Sequence, residues 1–253
     1  MAFEVMIGGV GDAFSLEHHG THFFLRKDDF VLAIDCPDGY RRALKENNFP
    51  QKNATRLTVG DIDAMLITHL HGDHVNGLEM TAAYRRFVLH KDPLPIFGIP
   101  EVTRDLWPRR LAVSLGRMWN GETFKTLESE DYFEMNNLVW EASNSIGPFG
   151  IEIRKTVHHL PTIALRITDG DKTLGYSCDT IFDDELVDWL AKDSDLIFHE
   201  STFGAAHTPI QPLMELDLPV QKRMRIVHYP DEMVDMDLQD LQLARQGEVI
   251  FLE

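Results

Sequence analysis

The sequence predicts an α/β fold. Two apolar runs of strand length, Phe30-Val31-Leu32-Ala33-Ile34 and Ala64-Met65-Leu66-Ile67, are nearly continuous, as in strands buried on both faces. Segments such as Met80 to Val88 instead carry apolar residues at helical spacing. Further on, short strand-like runs recur, with Asp169-Gly170-Asp171 as a hairpin signal between two of them. Periodicity by itself goes no further than α/β.

Taken in order, Phe3 to Ile7 alternates as a strand, and Gly8, Gly9 and Gly11 then permit tight backbone turns. No phosphate-binding helix motif follows, so these glycines read as a turn and not as a nucleotide cradle. His18, His19 and His22 enter the strand Phe23-Phe24-Leu25, either as surface residues or as the lining of a pocket. Phe30 to Ile34 is a buried strand ending at Asp35, Tyr40 to Asn48 a short helix, and Asp61 to Thr68 the next strand. Met80 to Val88 forms a helix with Arg85 and Arg86 on its outer face, and Glu101 to Leu115 is helical. Trp107, Trp119 and Trp140 read first as core residues, with an aromatic segment closing over a site as the alternative. Strands follow at Ile151–Ile153, Ile163–Ile167 and Thr173–Tyr176, then a helix from Asp183 to Ala191 and the strand Leu196–Phe198. With no linker, repeat or low-complexity tract, residues 1–253 read as a single domain.

The chemistry concentrates in Thr68-His69-Leu70-His71-Gly72-Asp73-His74, directly after a buried strand. Neutral imidazole and carboxylate are preferred ligands of zinc-like divalent ions, and three imidazoles with one carboxylate on a single turn pre-assemble a site for two adjacent ions. A solvated His-rich turn would need four such residues in six positions by chance.

This segment resembles the His-X-His-X-Asp-His signature of the metallo-β-lactamase superfamily. Ile7-Gly8-Gly9-Val10-Gly11-Asp12, Leu32 to Gly39, His158-His159-Leu160-Pro161, Tyr176-Ser177-Cys178-Asp179-Thr180 and Ile226-Val227-His228 extend the resemblance over nearly the whole chain. Pro93 to Gly98 looks like the strand and turn that follow in sequences of the tRNase Z type. His199-Glu200-Ser201-Thr202-Phe203 is similar to the His-Glu-Ala-Thr-Phe segment of the tRNase Z and cyclic phosphodiesterase branch. The resemblance implies an αββα sandwich with two divalent metal ions, zinc first, manganese or iron as alternatives. By position, His69, His71 and His158 would hold one ion, Asp73, His74 and His228 the second, and Asp179 would bridge both. His158 is preferred to His159 by its distance from Pro161. Such an ion pair lowers the pKa of a bridging water toward neutrality and stabilises in-line displacement at phosphorus. Asp73 doubles as a proton acceptor, and His207 is implied as the general acid. Asp35, His199 and Glu200 are expected to support these groups from behind.

Composition limits the partners. At 43% hydrophobic and 26% charged residues the chain is ordinary for a globular protein. No window approaches a membrane span, and Met1-Ala2-Phe3-Glu4-Val5 lacks a signal-peptide pattern, so a cytoplasmic protein is expected. Cys36 and Cys178 each adjoin an Asp and read as apolar filler near the site, not as a disulfide. A net charge of -17 repels polyanions at long range, while two bound cations would still draw a small anionic ester into the site. Lys222-Arg223-Arg225 and then Arg109-Arg110 are the best basic patches, and neither is long.

The expected function is therefore a dinuclear metal-dependent phosphodiesterase acting on a small or cyclic phosphate ester through a metal-bridging hydroxide. A lactonase or thioesterase on the same scaffold, a tRNA 3′-processing endonuclease and a non-catalytic metal-binding regulator are the competing readings. Against tRNA processing, only about 20 positions separate His158 from Asp179, too few for the long tRNA-gripping arm of many tRNase Z proteins. Tyr229-Pro230-Asp231-Glu232 also stands where those enzymes continue toward an Arg. Residues 101–145 are expected to select substrate or to mediate homodimerisation.

Overall fold

The computed structural model describes residues 3–50 and 56–253. Met1 and Ala2, the start of the segment read for a targeting signal, lie outside them. In chain order the elements are β1 Phe3–Gly9, β2 His22–Lys27, β3 Phe30–Ile34, α1 Tyr40–Asn47, β4 Ala64–Leu66, α2 Gly72–Val75, α3 Leu78–Phe87 and β5 Leu94–Gly98. There follow α4 Pro100–Leu106, a π-helical turn Trp107–Leu111, α5 Ala112–Leu115, β6 Arg117–Trp119, β7 Phe124–Thr126, β8 Phe133–Asn137, β9 Asn144–Ile146 and β10 Phe149–Lys155. The remainder is β11 Ile163–Thr168, β12 Thr173–Tyr176, α6 Asp184–Asp193, β13 Leu196–Glu200, α7 Ile210–Met214, α8 Leu218–Gln221, β14 Met224–Val227, β15 Gln242–Leu243 and β16 Val249–Leu252.

Two seven-stranded sheets result, ordered β16-β1-β2-β3-β4-β5-β8 and β15-β14-β13-β12-β11-β10-β9. Each combines an antiparallel part with a parallel part, and β3, β4, β12, β13 and β14 lie in the parallel parts. The sheets meet face to face through aromatic rings. Phe23 on β2 lies 5.0 Å from Tyr176 on β12 and 4.7 Å from Phe198 on β13, and Phe3 lies 5.2 Å from Phe149. Helices cover the outer faces; α6, capped by the Asp183 side chain, buries Leu186, Val187 and Leu190 toward the second sheet. The αββα sandwich is thus present. Val249–Leu252 completes the first sheet by pairing antiparallel with Phe3–Met6, Met6 opposite Val249. Ile7 N also donates to Glu248 O at 2.9 Å, and Gly247 N to Ile7 O at 2.8 Å.

Several local expectations are corrected. Gly8 and Gly9 belong to β1 and form no turn. A Cβ on Gly9 would sit 2.2 Å from the Gly20 carbonyl oxygen, so glycine here permits close approach of two backbones. Of Asp61 to Thr68 only Ala64–Leu66 is strand, because Val59–Asp61 is a 3₁₀ turn closed by a Thr58–Asp61 capping box. The helix expected over Glu101 to Leu115 is interrupted at Pro108, which lacks an N–H and crowds the carbonyl four residues earlier. The chain widens there, and Ala112 N donates to Trp107 O. Trp119 and Trp140 are exposed at 54% and 37% and are not core, whereas Trp107 is half-buried against Tyr132. His22 is neither on the surface nor in a pocket: it is buried beside Phe24 and Tyr40, and burial brings its pKa down to about 4.

Arg85 is the largest departure, since it is buried where an outer face was expected. Its guanidinium donates to Val59 O and, at 3.1 Å, to Ile62 O, tying α3 to the turn before β4. Arg85→Ala would orphan two carbonyls and is expected to cost about 2–4 kcal/mol of stability. Urea unfolding should show a lower midpoint at an unchanged m-value, and a change below about 0.5 kcal/mol would mark Arg85 as an ordinary surface residue after all.

Candidate metal centre

The carboxyl ends of the parallel strands converge on one point, the usual place for a ligand in sheets of this kind. Three residues turn the chain there in the left-handed region, Asp35 after β3 (φ 61°), Cys178 after β12 (φ 51°) and His228 after β14 (φ 51°). Non-glycine residues pay of order 1–3 kcal/mol for such a backbone, and strain of this kind clusters at functional sites. Here it aims side chains inward at each strand end.

Two groups of four donors form, His69, His71, His158 and Asp179, and Asp73, His74, Asp179 and His228. Asp179 belongs to both. In the first group, His71 Nδ1 is 3.0 Å from both His69 Nε2 and His158 Nε2, and Asp179 Oδ2 is 3.8 Å and 3.6 Å from those two nitrogens. In the second, His74 Nε2 is 3.4 Å from Asp179 Oδ1 and 3.5 Å from Asp73 Oδ2, and His228 Nε2 is 3.1 Å from Asp73 Oδ2. A tetrahedron with ligands at zinc distances has edges of about 3.3 Å, so both groups have the right size for an ion at the centre. Of the two neighbouring imidazoles His158 enters the cluster. Its Nδ1 donates to Ala206 O at 3.1 Å, leaving Nε2 inward, while the His159 ring stays 6.1 Å from that of His71.

The donors also fit a cation chemically. Nε2 of His74 and Oδ2 of Asp179 are buried without a hydrogen-bond partner, each a cost of about 1–3 kcal/mol that a bound ion would relieve. Burial pushes His69 well below the usual imidazole range, lowers His71, and brings His158 down to about 4, so these rings are neutral and free to ligate. Burial opposes charge on Asp179 as well, yet His228 and His74 hold its carboxyl well below the usual range. His74 and His228 are raised against burial, both by Asp179, and then by Asp35 and Asp73 respectively. The second group thus calls for positive charge, which a divalent ion would provide.

The surrounding groups fix these rings. Asp35 Oδ2 accepts from His74 Nδ1 at 2.8 Å, and its oxygens take the Thr68 N–H and hydroxyl, both at 2.8 Å. His207 Nδ1 donates to Glu200 Oε1 at 3.0 Å, and its ring lies 5.1 Å from His158 and 5.5 Å from His228, stacked on the latter. Glu200 Oε1 also accepts from Thr180 N and Thr208 N. His199 is buried with Nδ1 donating to Glu200 O, outside both donor groups. Cys178 Sγ lies 3.7 Å from His69 Nδ1, and both cysteines are buried and free. Arg110, which the sequence marks only as part of a minor basic patch, donates to Leu70 O, between two candidate ligands, from 40 residues away, and no local pattern announces such a contact.

Fold and donors define the class, a metal-dependent hydrolase of metallo-β-lactamase fold. The metallo-β-lactamase-fold protein YhfI from Bacillus subtilis superposes with a TM-score of 0.75 at 20% identity, over 99% of this chain and 100% of that one. Human tRNase Z, short form, gives 0.71 at 21% identity, over 98% of each chain. The model of the Anti-Pycsar protein Apyc1 family matches residues 3–250, and the chain belongs to that family. An Anti-Pycsar protein Apyc1 from Paenibacillus sp. (strain J14) is 30% identical over 241 residues, covering 92% of this chain and 91% of its own.

Proposed function

We propose that the chain is a cytoplasmic, dinuclear phosphodiesterase acting on a small or cyclic phosphate ester. The single observation that carries this is the pair of four-donor groups sharing Asp179. His69, His71 and His158 would hold one ion, Asp73, His74 and His228 the other, with Asp179 common to both. When bound, two divalent ions supply an activated water and positive charge against the phosphoryl oxygens. Asp35 holds His74 by its Nδ1 so that Nε2 faces the site, and the Ala206 carbonyl does the same for His158. Asp73, half-buried in the same motif, would double as the acceptor of a proton from the attacking water. His207, held at Nδ1 by Glu200, keeps Nε2 available to protonate the departing oxygen.

A small substrate is supported by the fate of the basic residues. Arg223 is occupied with Ser194 O and Ala191 O, Arg109 faces Asp105 at 3.5 Å, and Arg110 holds Leu70 O. Three arginines of the two basic patches are thus engaged within the chain, and a net charge of -17 opposes a polyanion at long range. No helix among the described residues is long and apolar enough to cross a membrane. Metal-loaded protein should therefore hydrolyse a cyclic nucleotide under low-salt conditions in which precursor tRNA stays intact, with lactone and thioester esters turned over far more slowly. Site-specific cleavage at the tRNA 3′ end, or preference for a lactone, would sink this reading.

A further inference from the structure

The Arg109-Arg110 pair read as a minor basic patch is split by the fold. Arg109 is exposed and faces Asp105 on its own helix. Arg110 sits in the π-helical turn Trp107–Leu111 and reaches across to the metal motif. Its Nη1 donates to Leu70 O at 3.0 Å and its Nη2 to Asn76 Oδ1 at 2.7 Å. Asn76 in turn donates from Nδ2 to Asp38 Oδ2 at 3.0 Å, and its N–H closes α2 on Gly72 O. One planar guanidinium thus spans the loop from Leu70, flanked by His69 and His71, to Asn76, two residues beyond His74. An Arg fork can hold two acceptors in fixed relative orientation, which a Lys ammonium cannot. The π turn makes this reach a built feature: the extra residue in the turn, forced at Pro108, changes the direction in which Arg110 leaves the helix.

We propose that Arg110 is a positioning residue for the metal-binding loop, holding the Leu70 carbonyl and the Asn76 side chain so that His69 and His71 present their nitrogens to one ion. The proposal rests on the assignment of these residues as ligands. It touches neither substrate nor ion itself, and it acts through the peptide between two ligands. Groups of this kind, one step behind the ligands, typically carry 10–100-fold in metal affinity or activity.

The test is Co²⁺ binding to metal-free protein, followed by equilibrium competition and by the visible d–d absorption that reports ligand geometry. Arg110→Ala is expected to weaken binding at one site by about 10–100-fold and to alter the absorption envelope. The metal-free form should melt as the wild type does, because the side chain is on the surface. Arg110→Lys should recover only part of the loss, and Arg109→Ala should behave as wild type. Unchanged affinity and spectrum in Arg110→Ala, an equal loss in Arg109→Ala, or full recovery in Arg110→Lys would overturn the proposal. Wild-type protein taking up one Co²⁺ and not two would instead refute the dinuclear reading, and the same variant comparison on that one ion still decides the role of Arg110.

Discussion

Asp179→Ala is expected to bind at most one divalent ion per chain and to lose kcat/KM by more than about 10³-fold, the upper end of the effect of removing one preorganised electrostatic group. The reason is positional. Asp179 is fully buried between the two donor groups, with Oδ1 3.4 Å from His74 Nε2 and Oδ2 within 3.6–3.8 Å of His69, His158 and His228. No other carboxylate among the described residues belongs to both groups. Asp179→Asn keeps the shape and removes the charge, so it separates the two contributions: retained fold with lost ion would locate the effect in charge. Elemental analysis after reconstitution decides the matter. Two ions per chain in Asp179→Ala would remove the shared-carboxylate model altogether.

His207→Ala should keep both ions yet lose turnover by about 10²-fold or more on esters with poor leaving groups, the usual scale for a positioned acid. The ring is stacked 5.5 Å from His228, and its Nδ1 is committed to Glu200, so Nε2 is the nitrogen left for chemistry. A p-nitrophenyl phosphodiester departs without protonation and should be spared. Equal slowing of p-nitrophenyl and alkyl phosphodiesters would exclude proton donation and leave His207 a structural ring.

What was readable from the sequence follows the range of the physics. The His69 to His74 motif is local, and a buried strand followed by ligands on one turn announces itself within ten residues. The apolar runs located β3 and β4, and Asp169-Gly170-Asp171 located the β11–β12 hairpin, because those signals also act between near neighbours. Residue type puts Arg85 outside and period puts it inside: Leu78, Thr81, Ala82 and Arg85 share one helical face, and that face is the buried one. Spacing alone would have placed it correctly. The average behaviour of tryptophan puts Trp119 and Trp140 in the core, but it says nothing about a separate two-stranded hairpin, where Trp119 sits, or about the β8–β9 connection, where Trp140 sits. Gly8, Gly9 and Arg110 depend on partners brought in by tertiary contact, the His22 ring, the Gly20 backbone and the Leu70 carbonyl respectively, and those pairings carry no mark in the sequence. The donor set was assembled from separate motifs through the family resemblance, while the backbone that aims them, with Asp35, Cys178 and His228 in the left-handed region, was invisible.

The pairing of Val249–Leu252 with Phe3–Met6 has a consequence for how the chain is made. On a ribosome adding about 5–20 residues per second, β1 leaves the exit tunnel well before its outer neighbour exists. Throughout that interval its Phe3 side presents unpaired N–H and C=O groups, the template on which foreign strands add. The donor set shares the delay, since His228 comes almost as late as β16. A nascent chain stalled before residue 228 would carry His69, His71, Asp73 and His74 without the partner that Asp73 and Asp179 face. Synonymous slow codons over 220–252 are therefore expected to lower the soluble yield more than the same codons placed between β5 and β9, and an equal yield from the two would count against this.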